Sequence, residues 1–81
     1  MNYSKMNNEF VEQKIRDVLA ELNYEYQDIQ IDRVSENFNI SVFGQDGKKI
    51  LSCAIPIEYF EDEDRKNELT RKIERKLKEY R

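Results

Sequence analysis

The stretch FNISVFGQDGKKILSCAI, residues 38–55, decides the fold of this chain. Its large apolar residues alternate with polar or small ones, which is the period of a strand with one buried face. Asp46-Gly47 separates the two alternating runs, and this dipeptide is a strong signal for a tight hairpin turn. With these two residues as the loop, the apolar residues meet in three pairs: Val42 with Leu51, Ile40 with Cys53, and Phe38 with Ile55. The turn and the burial pattern therefore predict the same hairpin.

A third strand precedes this hairpin. Ile29 and Ile31 alternate with polar neighbours, and a turn centred on Glu36-Asn37 places Ile31 opposite Val42. Pro56 cannot donate to a ladder, so it marks the end of the last strand. The sequence thus predicts an antiparallel meander with strands over about 28–34, 38–44 and 49–56.

Apolar residues at helical spacing occur both before and after the meander in the sequence. The first helical face collects Val11, Ile15, Val18, Leu19 and Leu22. Asn23 suits the left-handed conformation that ends a helix, so the predicted helix covers about 7–23. A narrower stripe predicts a second helix over about 61–80, with Leu69, Ile73, Leu77 and Tyr80. Because a helix of this length exceeds the strands, its last turns are expected to project beyond the sheet.

These elements predict one α+β domain of two layers over residues 1–81. Their order is α-β-β-β-α, with a three-stranded antiparallel meander and two helices on one face. The core of so short a chain is small, so we expect modest stability.

The composition excludes several classes of function. The 81 residues include no His and one Cys. Zinc sites built from His and Cys need several such residues, and nucleophiles activated by His need a His. A single Cys makes no internal disulfide, and Cys53 reads as a small core residue. We therefore expect no enzymatic activity, no metal and no cofactor.

Charge and hydropathy limit where the protein is expected to be located and which partners it is expected to bind. The chain has no apolar run of about 18 residues, and no signal peptide with a charged segment followed by an apolar segment. We therefore expect no membrane segment and a cytoplasmic location. The 14 Lys and Arg against 17 Asp and Glu give a net charge of −3. This balance hides an acidic stretch over residues 58–64 and a basic one over residues 71–81.

Some apolar residues do not fit the core pattern, and they are the candidate partner-binding residues. Phe43 faces Ile50 in the predicted hairpin, on the side away from the helices. Surface patches of Tyr, Phe and aliphatic residues mark interaction sites, although antiparallel sheets also leave apolar side chains half exposed. The predicted patch consists of Phe43, Ile50, Val34, Tyr24, Tyr26 and Tyr59.

The basic end of the last helix offers an alternative site for nucleic acid, through Arg71, Lys72, Arg75, Lys76 and Lys78. A solvated helix face explains the same residues, with ion pairs of Glu68 with Lys72 and of Glu74 with Lys78. The element order also resembles that of double-stranded-RNA-binding domains, in topology only. That family contacts phosphates with a Lys cluster at the start of its last helix, where this chain has acidic residues 61–64. We do not assign the chain to that family, and nucleic acid is the less favoured partner.

The sequence therefore predicts a small, non-catalytic module that binds another protein or a second copy of itself. The composition, rich in Asn, Lys, Glu and Ile, is typical of low-GC bacteria, phages and mobile elements. Small proteins of such origin often regulate or inhibit a host protein, and this is the expected role.

Overall fold

The computed structural model describes residues 8–79 and confirms the α+β architecture. The elements follow in the order α1 (Asn8–Glu21), β1 (Asp28–Val34), β2 (Asn37–Phe43), β3 (Lys49–Pro56), α2 (Glu58–Glu61), a 3-10 turn (Glu63–Arg65) and α3 (Lys66–Glu79). The predicted helix positions 7 and 80 lie outside the described residues. The three strands form one antiparallel sheet with β2 in the centre.

The predicted stop of the first helix is confirmed at Asn23, which has a φ of 62°. The N–H of Tyr24 donates to the carbonyl of Leu19 over 2.9 Å, and the N–H of Asn23 donates to the carbonyl of Ala20 over 3.1 Å. This pair of bonds is the Schellman motif, which satisfies the last carbonyls of a helix and reverses the chain. The chain is thereby directed into β1.

The β2–β3 hairpin has the predicted register over most of its length, with a different turn. The three predicted apolar pairs are all present. The loop has three residues rather than two, because the N–H of Gly44 donates to the carbonyl of Lys48 over 2.8 Å. A two-residue type I′ turn would need positive φ at both Asp46 and Gly47, whereas only Gly47 has it, at 83°.

The longer loop is compensated by a β-bulge. Phe43 pairs with Lys49, and the register shifts before Val42 meets Leu51, which leaves Ile50 as the extra residue of β3. The predicted pairing of Phe43 with Ile50 is therefore wrong. A Cβ atom on Gly44 would lie 3.2 Å from Cγ2 of Ile50, so the bulged side chain packs over the space that this glycine leaves.

The first hairpin is shifted by two residues from its predicted register. Ile31 pairs with Ile40, not with Val42, and the loop consists of Ser35 and Glu36. Ser35 has a φ of 59° and Glu36 does not have a positive φ, which is the sign pattern of a type II′ hairpin turn. Because the side-chain period of a strand is two, this shift keeps the same face buried.

Both helices cover one face of the sheet, as predicted. Side chains from α1, α3 and the inner face of the strands form one buried cluster. Its helical members are Val11, Ile15, Val18 and Leu19 from α1 and Leu69, Ile73 and Leu77 from α3. Its strand members are Ile29, Phe38, Ile40, Val42, Leu51 and Ile55.

The last helix differs from its prediction at both ends. It begins at Lys66 rather than near 61, because Asp62 is extended, with φ −106° and ψ 112°, and its carboxylate accepts the N–H of Asp64 over 2.9 Å. Ahead of this break, Phe60 on α2 enters the core and meets Phe38 edge to face, with ring centroids 5.6 Å apart. Leu77 is 2% exposed, so α3 stays on the sheet to its last described turn instead of projecting.

Removing the Phe60 ring should destabilise the whole domain. Phe60→Ala leaves a cavity against Phe38, and we expect the free energy of unfolding to fall by about 3 kcal/mol. Urea denaturation followed by circular dichroism measures this loss. Val34→Ala is the matched control, because Val34 is exposed and its truncation should change stability by less than about 0.5 kcal/mol. Equal effects of the two substitutions would contradict the placement of Phe60 in the core.

Candidate functional site

The predicted partner patch is not assembled as one surface. Val34 and Phe43 both lie on the outer face of the sheet, away from the helices. Val34 pairs with Asn37 and Phe43 pairs with Asp28, so they lie at opposite ends of the β1–β2 hairpin, about 20 Å apart at the rise of a strand. Within residues 8–79, Val34 is the one large hydrophobic side chain that is exposed, at 51%. Phe43 is half-buried, with Nζ of Lys49 5.9 Å from its ring centroid.

The other four residues of the predicted patch pack against the core instead. They are Ile50, Tyr24, Tyr26 and Tyr59, and all four are half-buried. The bulge directs Ile50 toward Gly44, and Nη1 of Arg16 donates to the hydroxyl of Tyr26 over 3.1 Å. The role of these residues in partner binding stays a prediction; they lie half-buried against the core, whereas Val34 is exposed on the outer face.

Polar and small side chains occupy the middle of the outer face. Gln30 pairs with Ser41, and Ser41 pairs with Ser52. The next row is formed by Asp32, Asn39 and Ala54. The middle of this face therefore offers little apolar area for a partner, and the edges of the sheet are the next candidate surfaces.

The main chain of β2 bonds alternately to its two neighbours. The N–H of Gly44 donates toward β3, to Lys48, and the carbonyl of Phe43 accepts from the other side, from Gln27 over 2.7 Å. In an antiparallel ladder this alternation continues along the strand. Residues 38, 40 and 42 therefore bond to β3, and residues 37, 39 and 41 bond to β1. It follows that Ser52 and Ala54 of β3, and residues 29, 31 and 33 of β1, direct their main-chain groups outward.

The outer edge of β1 is capped by side chains. The N–H of Ile29 donates to the carboxylate of Asp28 over 2.9 Å. The side-chain amide of Asn8 donates to the carbonyl of Ile31 over 3.2 Å. Charged residues on the strand, Asp28, Asp32 and Arg33, add a further obstacle, because such residues hinder pairing with another strand. The β1 edge is thus protected.

Over residues 8–79, nothing gives the outer edge of β3 comparable protection. Ser52 and Ala54 are exposed, and no described residue outside β2 bonds to their main chain. The chain is uncharged over residues 50–57. The bulge at Ile50 and the imide nitrogen of Pro56 bound this open segment at its two ends. Main-chain donors and acceptors that point into solvent from an uncharged edge strand are a template for another strand.

Basic side chains of α3 flank this open edge. α3 packs on β3, and Lys72 and Lys76 lie one helical turn apart on the side next to Cys53. Burial raises the pKa of the half-buried Cys53 thiol, and the positive charges of Lys72 and Lys76 lower it, with a smaller effect. The two ammonium groups are therefore close enough to β3 to act on a charge there.

A shallow groove of about 240 Å³ continues this basic surface. It is lined by Tyr59, Glu68, Arg71, Lys72 and Arg75. The ring of Tyr59 lies between two cations, with Nζ of Lys72 5.8 Å and the guanidinium carbon of Arg65 5.5 Å from its centroid. These distances are typical of cation–π contacts, which hold both side chains beside the groove.

The cations of α3 differ in how they are paired. The predicted pair of Glu74 with Lys78 is present at 3.9 Å, and Lys76 lies 3.5 Å from Glu79. Glu68 pairs with Arg65 at 3.8 Å instead of with Lys72. Within the described part of the chain, the other four cations of α3 have no carboxylate within ion-pair distance: Lys66 at its first residue, and Arg71, Lys72 and Arg75, which line the groove.

Searches for other sites and for relatives give no positive result. Over residues 8–79 there is no group of three or more potential metal-ligating side chains, and none of the helices has the length and hydropathy to cross a membrane. No protein-family model matches the chain, and comparisons with curated proteins and with solved structures find no significant match.

Titration of Cys53 tests whether the two lysines lie beside β3. Replacing both in Lys72→Gln/Lys76→Gln removes the charges that lower the pKa of this thiol, so the pKa should rise further. The midpoint of the pH–rate profile for alkylation by iodoacetamide reports the pKa, whereas access affects the plateau. A Lys14→Gln/Lys78→Gln variant loses the same charge elsewhere and should keep the wild-type midpoint. An unchanged or lower midpoint in Lys72→Gln/Lys76→Gln would contradict this placement.

Proposed function

We propose that the chain is a non-catalytic interaction module that binds another protein by taking an extended segment of it as a fourth strand along β3. The observation that carries this proposal is the open edge of β3, where Ser52 and Ala54 present their main-chain groups to solvent. Most sheet proteins protect such an edge. This chain protects β1 with Asp28 and Asn8 and leaves β3 uncharged, and the contrast between the two edges favours a use for β3.

The energetics of strand addition favour a weak and reversible interaction. Ser52 and Ala54 offer two donors and two acceptors, and each hydrogen bond contributes about 1 kcal/mol net. Their sum of about 4 kcal/mol is no larger than the free energy that association costs, which is at least about 4 kcal/mol. Contacts of side chains must therefore supply the remaining affinity and the choice of partner.

Binding of this kind can regulate or inhibit a host protein without chemistry, because the bound segment is no longer available to its own partners. The proposal includes an origin in a phage, a mobile element or a low-GC bacterium, which rests on composition alone. It also includes a cytoplasmic location, since the free thiol of Cys53 suits a reducing compartment.

A proline on the open edge should abolish strand addition without unfolding the domain. Ala54→Pro removes a donor that makes no bond within the sheet, and Pro56 already stands at the equivalent position two residues on. The probe is a displayed library of random peptides of about ten residues, the length of a long strand. We expect recovered peptides to change the amide signals of Ser52 and Ala54 in NMR spectra, and to lose about fivefold or more in affinity for Ala54→Pro.

The matched control for this experiment is Arg33→Pro, which removes an outward donor from the other edge of the sheet. It should leave the affinity of the recovered peptides unchanged. Failure to recover any peptide, or recovery of peptides that bind Ala54→Pro and wild type equally, would contradict the proposal.

Nucleic-acid binding is the second candidate, favoured by three cations of the groove, Arg71, Lys72 and Arg75, that have no carboxylate within ion-pair distance among residues 8–79. If these cations meet three phosphates of a duplex, the logarithm of the binding constant should fall with the logarithm of salt concentration at a slope of about −3. Fluorescence anisotropy with a labelled duplex measures this slope, and Arg71→Gln/Arg75→Gln should reduce it to about −1. Absence of binding at low salt would exclude this candidate.

A further inference from the structure

We infer that the partner segment is acidic, with carboxylates at every second residue that face Lys72 and Lys76 of α3. This inference rests on the proposed strand addition at β3 and goes beyond it by naming the chemistry of the partner. It is carried by two observations together: the open main chain of β3 and the cations of α3 that flank it.

The geometry of a sheet fixes where the side chains of an added strand would lie. Neighbouring strands are about 4.8 Å apart, and side chains alternate between the two faces. Residues of the added strand next to Ser52 and Ala54 would share the polar outer face. Residues next to Cys53 would project to the inner face, under the edge of α3. Those residues would therefore meet Lys72 and Lys76, whose charges already reach the thiol of Cys53.

Among residues 8–79, the cations of this flank have few negative partners. Lys72 contacts the ring of Tyr59 and has no carboxylate at ion-pair distance among the described residues, and the same holds for Arg75. Lys76 has one, at Glu79. A net positive flank beside an uncharged edge favours a segment with Asp or Glu and disfavours one with Lys or Arg.

A second copy of this chain fits the edge less well than an acidic segment. Antiparallel pairing of β3 with itself keeps the covered faces on the same side of the joined sheet. The two copies of α3 would then lie side by side, with Lys72 and Lys76 of one copy facing the same residues of the other. Like charges so placed oppose association, and the uncharged residues of β3 provide no counter-charge.

A nucleic acid could use the cations of this site but not the open main chain of β3. Phosphates can pair with the cations of α3, but a phosphodiester backbone lacks the alternating N–H and carbonyl groups that extend a sheet. An acidic peptide therefore needs the main chain of β3, and a nucleic acid does not. Ala54→Pro should weaken the binding of an acidic peptide and leave the binding of a nucleic acid unchanged.

The closing experiment uses the displayed random peptides on the full chain and asks which residues the selection enriches. We expect Asp and Glu at alternate positions of the peptides that shift the amide signals of Ser52 and Ala54. Affinity of such a peptide should fall about tenfold for Lys72→Gln/Lys76→Gln and should weaken with salt. The variant Lys14→Gln/Lys78→Gln has the same net charge and should bind like the wild type.

The outcomes separate this inference from the proposed function. Peptides that bind at Ser52 and Ala54 without acidic enrichment, or with equal affinity for both lysine variants, would overturn the inference and leave strand addition intact. Acidic peptides or duplex nucleic acid that bind α3 and tolerate Ala54→Pro would overturn both. A dimer in light scattering that Ala54→Pro dissociates would assign the edge to a second copy and would also overturn the acidic segment.

Discussion

The stacking of apolar pairs across β2 and β3 is the interaction on which the rest of the structure depends. Val42 with Leu51 and Phe38 with Ile55 are fully buried, and they form the surface that α1 and α3 cover. Because the helices cover only one face of the sheet, its outer face and its two edges are in contact with solvent. The site that we propose is a consequence of this asymmetry. Among residues 8–79, no element covers the outer edge of β3.

Much of this fold could be predicted from residue periodicity, since the side-chain period of each element is set by local geometry. The limits of that information are visible in the two hairpins. Alternation fixes which face is buried, so a register shift of two residues between β1 and β2 leaves the pattern unchanged. A pattern argument cannot distinguish Ile31 opposite Ile40 from Ile31 opposite Val42. That choice depends on Ser35, whose positive φ is unusual for a residue other than glycine.

The candidate site was less predictable, for two physical reasons. The bulge turns Ile50 to the core side, and an extra residue in one strand leaves no clear signal in alternating hydrophobicity. The break at Asp62 lets Phe60 enter the core, although residues 58–64 read as the acidic start of one long helix. One signal was available in the sequence, namely the uncharged run over residues 50–57 in the last strand of a meander. Since a last strand is an edge strand, the absence of charge there could have indicated the open edge.

The two ends of the open segment have a consequence for the range of partners. Residues 51–55 lie between the bulge and Pro56, a length of about 17 Å. Over so short a distance, this chain can contact only two or three side chains of a bound strand on each face of the sheet. Under the proposed strand addition, recognition would be permissive, because many acidic extended segments would satisfy it, and the complexes would exchange rapidly. If β3 accepts a partner strand as we propose, the chain would be suited to sampling several targets rather than to holding one of them permanently.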